Sequence, residues 1–439
     1  MLARLRLAAH AGSASPGAVS DCPPSGRAAS ALKLSYRLKM RVLVDYRPAL
    51  RARTGVGEYM HELVRAYTAS HPADDVAVFT SSWADRPAPG TSEALRARVV
   101  DRRVPVAVLN LLWHRAQWPP VEWLAGKADV VHAAHPLIIP STHAARVVTV
   151  HDLFFLSHPE RTAAEIRRDY AALAGSLARR ADAVIAVSQY TRRQVIERLG
   201  VDADRVHVCS SGARTWSRLG QRPNLPADGY VLFIGTLEPR KNLGVLLDAY
   251  ERLAARGGRV PPLRIAGSVA PGGRAWLDRI KTPPLDALVR HVGYVADDAR
   301  EALYAGARTL VLPSLDEGFG LPALEAMSAG IPVVASNAGA LPEVVGDAAV
   351  LFGPADADGL AHALSRLATD EAWALERAAA GLTRARAFTW DAAARALGRA
   401  YDAAVANRTQ TARAQRGQAD TAGSEAQPAR KRPAEPRSR

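Results

Sequence analysis

The sequence is poor in cysteine. Only Cys22 and Cys209 occur in 439 residues. Two are too few for a disulfide framework, and a reduced, cytoplasmic compartment is expected. Long apolar runs are missing too: none approaches the ~18–20 residues that cross a bilayer. The opening MLARLRLAAHAGSASP is basic, but Arg4, Arg6 and His10 interrupt it, so it makes a poor secretory signal. There is no short-period repeat. No G-x-G-x-x-G follows the first predicted strand with an acidic residue ~20 positions on, which argues against a dehydrogenase. His and Asp do not fall at tight metal-binding spacings, and no metal is expected.

What is present is the composition of a globular protein, 48% hydrophobic and 23% charged. At 439 residues two domains are expected. The net charge of +14 looks like a nucleic-acid signal, but residues 1–39 and 406–439 each carry +5 of it, leaving +4 for the body. The excess therefore says little about the fold's ligand, and no nucleic-acid partner is expected.

Residues 1–39 and 406–439 show no core-forming periodicity and are predicted to be disordered. A sharper reading makes Met40 the true start, because the first good strand follows it; an N-terminal peptide from upstream of Met40 would refute this. From there strands and helices alternate, predicting a doubly wound α/β domain over 40–213. Its strands are expected at Val42–Asp45, Val76–Thr80, Arg98–Val100, Asp129–His132, Arg146–His151 and Ala183–Ser188, with a long helix over Ala163–Ala181. Residues 214–228 read as a linker. A second α/β domain is expected over 229–387, with strands at Tyr230–Ile234, Leu263–Ala266, Val292–Val295, Thr309–Leu312, Ile331–Ala335 and Ala349–Phe352. A last helix is placed over Asp391–Ala404, within 388–405.

The most informative stretch is VLPSLDEGFGLPALEAMSAGIPVVASNAGALPEVVGDAAVLF, residues 311–352. It reads as strand, glycine loop, helix, strand, a βαβ unit. Gly318 and Gly320 let backbone approach a ligand and leave N–H groups free at a helix N-terminus, a site suited to an anion. Glu317 and Glu325 lie eight positions apart and can face one crevice, where carboxylates suit sugar or ribose hydroxyls. Taken singly, either also fits a solvated residue of a capping box.

A second motif, GTLEPRKNL at residues 235–243, follows a strand and precedes a helix. Arg240 and Lys241 could neutralise a diphosphate leaving group there; an isolated pair of this kind is also often a solvated basic turn. A third loop holds Gly55 and Gly57, with Asp45 and Arg47 just before it. It is a weak signal, and Asp45 and Arg47 could bind a substrate or each other. His132, His135 and the pair His151–Asp152 sit near predicted strand ends. Ser188 is placed as a helix cap. Trp113, Trp118 and Trp123 with Arg115 suit either a packed segment or a membrane interface, the latter supported by a basic helix bearing Arg167, Arg168, Arg179 and Arg180.

The Glu317–Glu325 block resembles the E-x7-E signature of the retaining glycosyltransferases of family 4, and the likeness continues through GIPVVAS, GALPEVV and the VLF strand. GTLEPRKN resembles that family's donor-phosphate loop, with Thr236 where many relatives carry Arg. The resemblance covers roughly residues 40–404. It implies a GT-B fold, two Rossmann-like doubly wound domains facing a cleft, with the last helix crossing back to the first domain. It implies an enzyme moving a sugar from a nucleotide-sugar to a saccharide or lipid-linked acceptor, with no cofactor and no metal. On this resemblance Glu317, His151 and Asp152 are the catalytic candidates. Donor contacts fall on Arg240, Lys241, Gly318, Phe319, Gly320, Leu321, Glu325, Gly55, Gly57 and Thr236. His132, His135 and Asp45 are acceptor or sugar candidates. The wording of the motif leans toward GDP-mannose and toward polysaccharide or lipopolysaccharide assembly, and the tryptophan patch with the basic helix adds peripheral contact with the inner face of a membrane. The alternatives are a UDP-sugar transferase, and a nucleotide-sugar-binding protein or epimerase of the same fold.

Overall fold

Short β-branched runs that alternate with helices satisfy their backbones in parallel sheets covered on both faces. The computed structural model, which describes residues 39–50, 55–159, 169–217, 219, 224–257 and 260–425, has two such sheets. The first contains Arg41–Asp45 (β1), Asp75–Ser81 (β2), Arg98–Arg102 (β3), Val130–Ala133 (β4), Ala145–Val150 (β5), Ala183–Ala186 (β6) and Val206–Val208 (β7). The second contains Tyr230–Ile234 (β8), Leu263–Ala266 (β9), Val289–Gly293 (β10), Ala307–Leu312 (β11), Val333–Ser336 (β12) and Val350–Phe352 (β13).

Their orders are β3-β2-β1-β4-β5-β6-β7 and β10-β9-β8-β11-β12-β13. Every pairing is parallel. Each sheet starts at a middle strand, winds outward, then returns to wind the other way. The strand order reverses between β1 and β4 in one sheet and between β8 and β11 in the other. Reversal leaves a crevice at the carboxyl ends, because successive connections leave on opposite faces.

Central strands β4, β6, β11 and β12 are buried at every residue. That is why they read as mainly apolar runs rather than alternating ones, interrupted only by His132, Arg308, Thr309 and Ser336. Each fully buried Val or Leu contributes roughly 1.5–3 kcal/mol relative to exposure.

The last helix, Trp390–Glu425, leaves the second sheet's side of the molecule and packs on helix Gly55–Ser70 and on β5 and β6. Leu397, Ala400, Tyr401 and Ala404 are buried in that contact. Tyr401 lies edge-on to Tyr67 at 5.3 Å between ring centroids. Asn407 Nδ2 donates to the Asp182 carbonyl at 3.0 Å. The helix thus ties the second lobe to the first.

The elements depart from expectation in three places. The third strand of the second sheet is Val289–Gly293, not Val292–Val295, because pairing starts at Val289 with Leu263 and, after a register shift between His291 and Gly293, finishes at Gly293 with Ala266. Strand β7 was not foreseen: three residues at a sheet edge carry too little pattern. The final helix runs past Ala404 to Glu425, so residues 406–425 are helical where disorder was expected. Within the long helix expected over Ala163–Ala181, Ala171–Arg179 is helical. The readings of residues 1–38 and 426–439, of the start of that helix, and of Arg167 and Arg168 lie outside the described residues.

Candidate active site

The loops after β8 and β11 meet at the second sheet's reversal point. The Leu315 N–H donates to the Arg240 carbonyl at 2.8 Å, which locks the two loops together. Asn242 holds the turn between them. It adopts φ 53°, a conformation that Asn tolerates, and its Nδ2 donates to the carbonyls of Pro313 at 3.0 Å and Pro354 at 2.7 Å.

This brings Glu317, Arg240 and Lys241 into direct contact. Glu317 Oε1 accepts from Lys241 Nζ at 2.5 Å and from Ser314 Oγ at 2.7 Å. Its Oε2 accepts from Arg240 Nη1 at 3.0 Å. Arg240 also donates to Glu238 Oε1 at 2.9 Å and to the Asp316 carbonyl at 3.1 Å. Glu317 is 6% exposed and Lys241 8%. Burial alone would raise the Glu317 pKa, but Lys241 and Arg240 outweigh it and hold the carboxyl at about 2. Burial alone would lower the Arg240 pKa, and Glu317, Asp152 and Glu238 overcome it and raise it. At neutral pH Glu317 and Arg240 are both ionised. Removing one partner of such a buried pair strands the other, at a cost of about 3–5 kcal/mol.

A cavity of about 320 Å³ opens over this cluster, between the lobes. From the first lobe come Gly55, Glu58, Tyr59, His151 and Asp152; from the second, Thr236, Arg240, Lys241, Arg300 and the Glu317–Leu321 loop. Asp152 Oδ2 lies 4.0 Å from Arg240 Nη1, so an acid of one lobe faces a base of the other. His151 is bonded through its ring to the Ala134 backbone, and burial holds its pKa down to about 4. Its Nε2 is buried without a hydrogen-bond partner. With the proton on the nitrogen that faces the Ala134 backbone, the neutral ring offers Nε2 as a hydrogen-bond acceptor at neutral pH.

Of the residues expected here, Gly55, Thr236, Arg240, Lys241, His151, Asp152, Glu317, Gly318, Phe319, Gly320 and Leu321 all line this cavity. Five others sit elsewhere. A Cβ on Gly57 would lie 2.6 Å from the Pro48 carbonyl oxygen, so this glycine lets its helix pack on the turn after β1 and does not face the cavity. Glu325 is 3% exposed and does not line the cavity. Its Oε2 accepts from Tyr304 OH at 2.6 Å and Arg300 Nη2 at 2.8 Å, so Arg300 stands between it and the open space. His132 is a core residue: its ring nitrogens bond Tyr401 OH at 2.8 Å and Thr149 Oγ1 at 2.7 Å. Both lie on elements packed over β4, which leaves His132 no route to a ligand.

Asp45 and His135 border a separate first-lobe hollow of about 450 Å³, with Asn110 and Tyr170. There Asp45 pairs with Arg47 through Nε and Nη2, each at 2.8 Å, so these two bind each other. His135 Nε2 is 3.6 Å from Asp45 Oδ2. Ser188 caps helix Gln189–Leu199 as expected, accepting from the Thr191 N–H at 3.0 Å. Trp113 is buried beneath the Arg47 guanidinium, while Trp118 and Trp123 are exposed.

Glu58 and Arg300 were not singled out from the sequence. Each sits on a helix where a lone charged residue carries no signal. Only the meeting of the lobes brings both to one cavity. Among the described residues no three His, Cys, Asp or Glu side chains group as metal ligands would.

Comparison with known proteins agrees with this geometry. Residues 228–370 match the family described as Glycosyl transferases group 1, and residues 53–215 match Glycosyltransferase Family 4. The chain is 32% identical over 379 residues to the O-antigen chain mannosyltransferase B of Escherichia coli, covering 80% of this chain and 97% of that protein. It is 36% identical over 227 residues to the serotype-specific mannosyltransferase WbdA of Escherichia coli, a match to 48% of this chain and 27% of that longer protein. Among solved structures, sucrose-phosphate synthase of Thermosynechococcus elongatus superposes with a TM-score of 0.65 at 21% identity, covering 83% of this chain and 98% of that one. Anabaena HepE in complex with UDP and glucose superposes with a TM-score of 0.58 at 19% identity, covering 86% and 99%.

Proposed function

The chain belongs to the group 1, family 4 glycosyltransferases, a GT-B enzyme, and on that premise we propose that it moves mannose from GDP-mannose to an acceptor hydroxyl with retention at the anomeric carbon. The setting we assign is polysaccharide or lipopolysaccharide assembly, on a saccharide or lipid-linked acceptor. The mannosyltransferase activity by which its O-antigen relative is named supports the sugar. The single observation that carries the reading is the buried Glu317–Arg240–Lys241 cluster at the strand-order reversal.

In this reading the donor's diphosphate displaces Glu317 as the partner of Arg240 and Lys241. The two cations then hold the charge that builds up as the bond from the anomeric carbon to the phosphate oxygen breaks. The acceptor oxygen attacks on the face being vacated, and its proton passes to the departing phosphate oxygen. Glu317, ionised at neutral pH, can only accept hydrogen bonds. It therefore orients sugar hydroxyls with the Gly318–Gly320 backbone and does not supply the proton. Neutral His151 lines the sugar side with Asp152. Side chains provide the counter-charge, and we assign the enzyme no cofactor and no nucleic-acid partner.

Peripheral contact with the inner face of a membrane belongs to the same reading. The observation favouring it is a first-lobe edge where Leu111, Trp118 and Trp123 are 62%, 52% and 69% exposed. Arg102, Arg103, Arg115 and Lys127 are exposed along the same stretch. Among the described residues no helix is long and apolar enough to cross a membrane. Co-sedimentation with anionic vesicles at low salt that is lost in a Leu111→Ser, Trp123→Ser variant supports this. Wild-type protein left in the supernatant refutes it.

Thermal shift tests the donor. Ligand at 100 times its Kd should add about 2.7 kcal/mol to the folded state. GDP-mannose should raise Tm more than UDP-glucose. The reverse order assigns the enzyme to UDP-sugars, and no shift with any nucleotide-sugar removes the reading. Donor hydrolysis or epimerisation without an acceptor would favour the non-transferring alternatives.

A further inference from the structure

The donor cavity contains a third cation that the motifs do not account for. Arg300, on helix Asp297–Ala305, lines it beside Gly55, Glu58 and Tyr294. Its guanidinium is not free to wander. Nη2 donates to Glu325 Oε2 at 2.8 Å, and Tyr304 OH donates to the same oxygen at 2.6 Å. Tyr304 is completely buried and holds the carboxylate from behind, and the Trp216 indole donates to the Glu325 backbone carbonyl at 3.2 Å, fixing the main chain there. The Arg300 Nε is buried and has no hydrogen-bond partner. A buried donor without an acceptor costs stability, which a ligand oxygen would restore.

Two further features bear on what that ligand atom is. The loop after β8 carries Thr236 next to Gly235, so position 236 supplies no cation, and the two cations further along that loop, Arg240 and Lys241, lie together on Glu317. Glu58, from the other lobe, lines the cavity close enough to interact electrostatically with Arg300.

We propose that Arg300 is a diphosphate-binding residue of the donor site, and that Glu325 and Tyr304 act as positioning residues that aim it. This rests on the donor reading above. The physical reason is geometric. A guanidinium presents five donors in a rigid fork, so one edge can stay on Glu325 while the remaining donors face a phosphate oxygen. Pinned in advance, it loses little freedom on binding. Glu325 then contributes to donor affinity through Arg300, not by its own contact.

The test is titration calorimetry of GDP and UDP, and of guanosine and uridine, against wild type, Arg300→Ala, Arg300→Lys, Tyr304→Phe and the Arg300→Ala, Tyr304→Phe double variant. Each variant's fold is checked by circular dichroism. Arg300→Ala should weaken binding of the preferred diphosphate about 10- to 100-fold, the scale of one charge-assisted hydrogen bond, and leave the nucleoside unaffected. Lysine should restore only part of it. Tyr304→Phe should weaken the diphosphate several-fold alone and add nothing in the Arg300→Ala background, because a positioning residue has no effect once its target is gone. Unchanged diphosphate affinity in Arg300→Ala overturns the proposal. So does equal loss of nucleoside and diphosphate. Tighter binding in Arg300→Ala overturns it too, since the arginine would then be covering Glu325. If wild type binds no nucleoside diphosphate, the donor reading fails and this inference with it; wild-type binding with an indifferent Arg300 sinks this inference alone.

Discussion

Gly318 meets His151 across the cleft so closely that a Cβ added to Gly318 would lie 1.6 Å from the His151 carbonyl oxygen. The contact joins the loop after β11 to the end of β5. Thr191 Oγ1 reinforces it, donating to the Gly318 carbonyl at 3.2 Å. Glycine at this position is required by space and not by backbone angle.

It follows that Gly318→Ala must push the two lobes or the Glu317 loop apart. A displacement near 1 Å of positioning groups lowers turnover about 100-fold. We expect kcat/KM to fall by that order while far-UV circular dichroism stays native. Steady-state kinetics with purified variant decides it.

Lys241→Ala removes one of two cations assigned to the leaving group. Turnover should fall ~10²-fold or more, the scale for losing a fixed charge stabiliser. The variant should also melt earlier, because Glu317 loses its 2.5 Å partner. Wild-type turnover in a folded Lys241→Ala protein would falsify the assignment.

Acid stability should report on Glu317. Its folded pKa of about 2 lies below the ordinary 4.5. The unfolded chain therefore binds more protons between those values, so the stability Glu317 brings is complete above pH 4.5 and drains away toward pH 2. His151, held at about 4 by burial against an ordinary 6.5, adds an earlier loss as pH falls from 6.5 to 4. Melting curves from pH 7 to pH 2 should show both, and Glu317→Gln should flatten only the lower segment. An unchanged lower segment in that variant would contradict the ion pairing.

Glu343 closes the lobes from the far side. Its two carboxylate oxygens accept the backbone N–H groups of Gln189 at 2.8 Å and Tyr190 at 2.9 Å, at the start of helix Gln189–Leu199. An acid at a helix N-terminus, bonded to free N–H groups, is worth about 1–2 kcal/mol. Glu343→Ala should populate more open molecules, seen as a larger radius of gyration in small-angle scattering and a several-fold higher donor KM. Identical scattering would show that the latch does not govern closure.

The sequence by itself determined the parallel α/β rhythm, the E-x7-E block and the cationic loop, because these are local. A buried central strand such as Ala183–Ala186 is apolar throughout, and a glycine loop between strand and helix is legible within ten residues. Tertiary structure decided the rest. His132 and His151 look alike in sequence, each at the end of a β-branched run, yet helix Trp390–Glu425 covers one and the cleft receives the other. Gly55 and Gly57 are equally alike, and only the packing of Pro48 separates them. Glu325 carries its motif but is screened by Arg300, from a helix that no motif marks. Which face of a residue meets solvent, core or ligand depends on partners dozens to hundreds of positions away, and a local pattern holds no record of them.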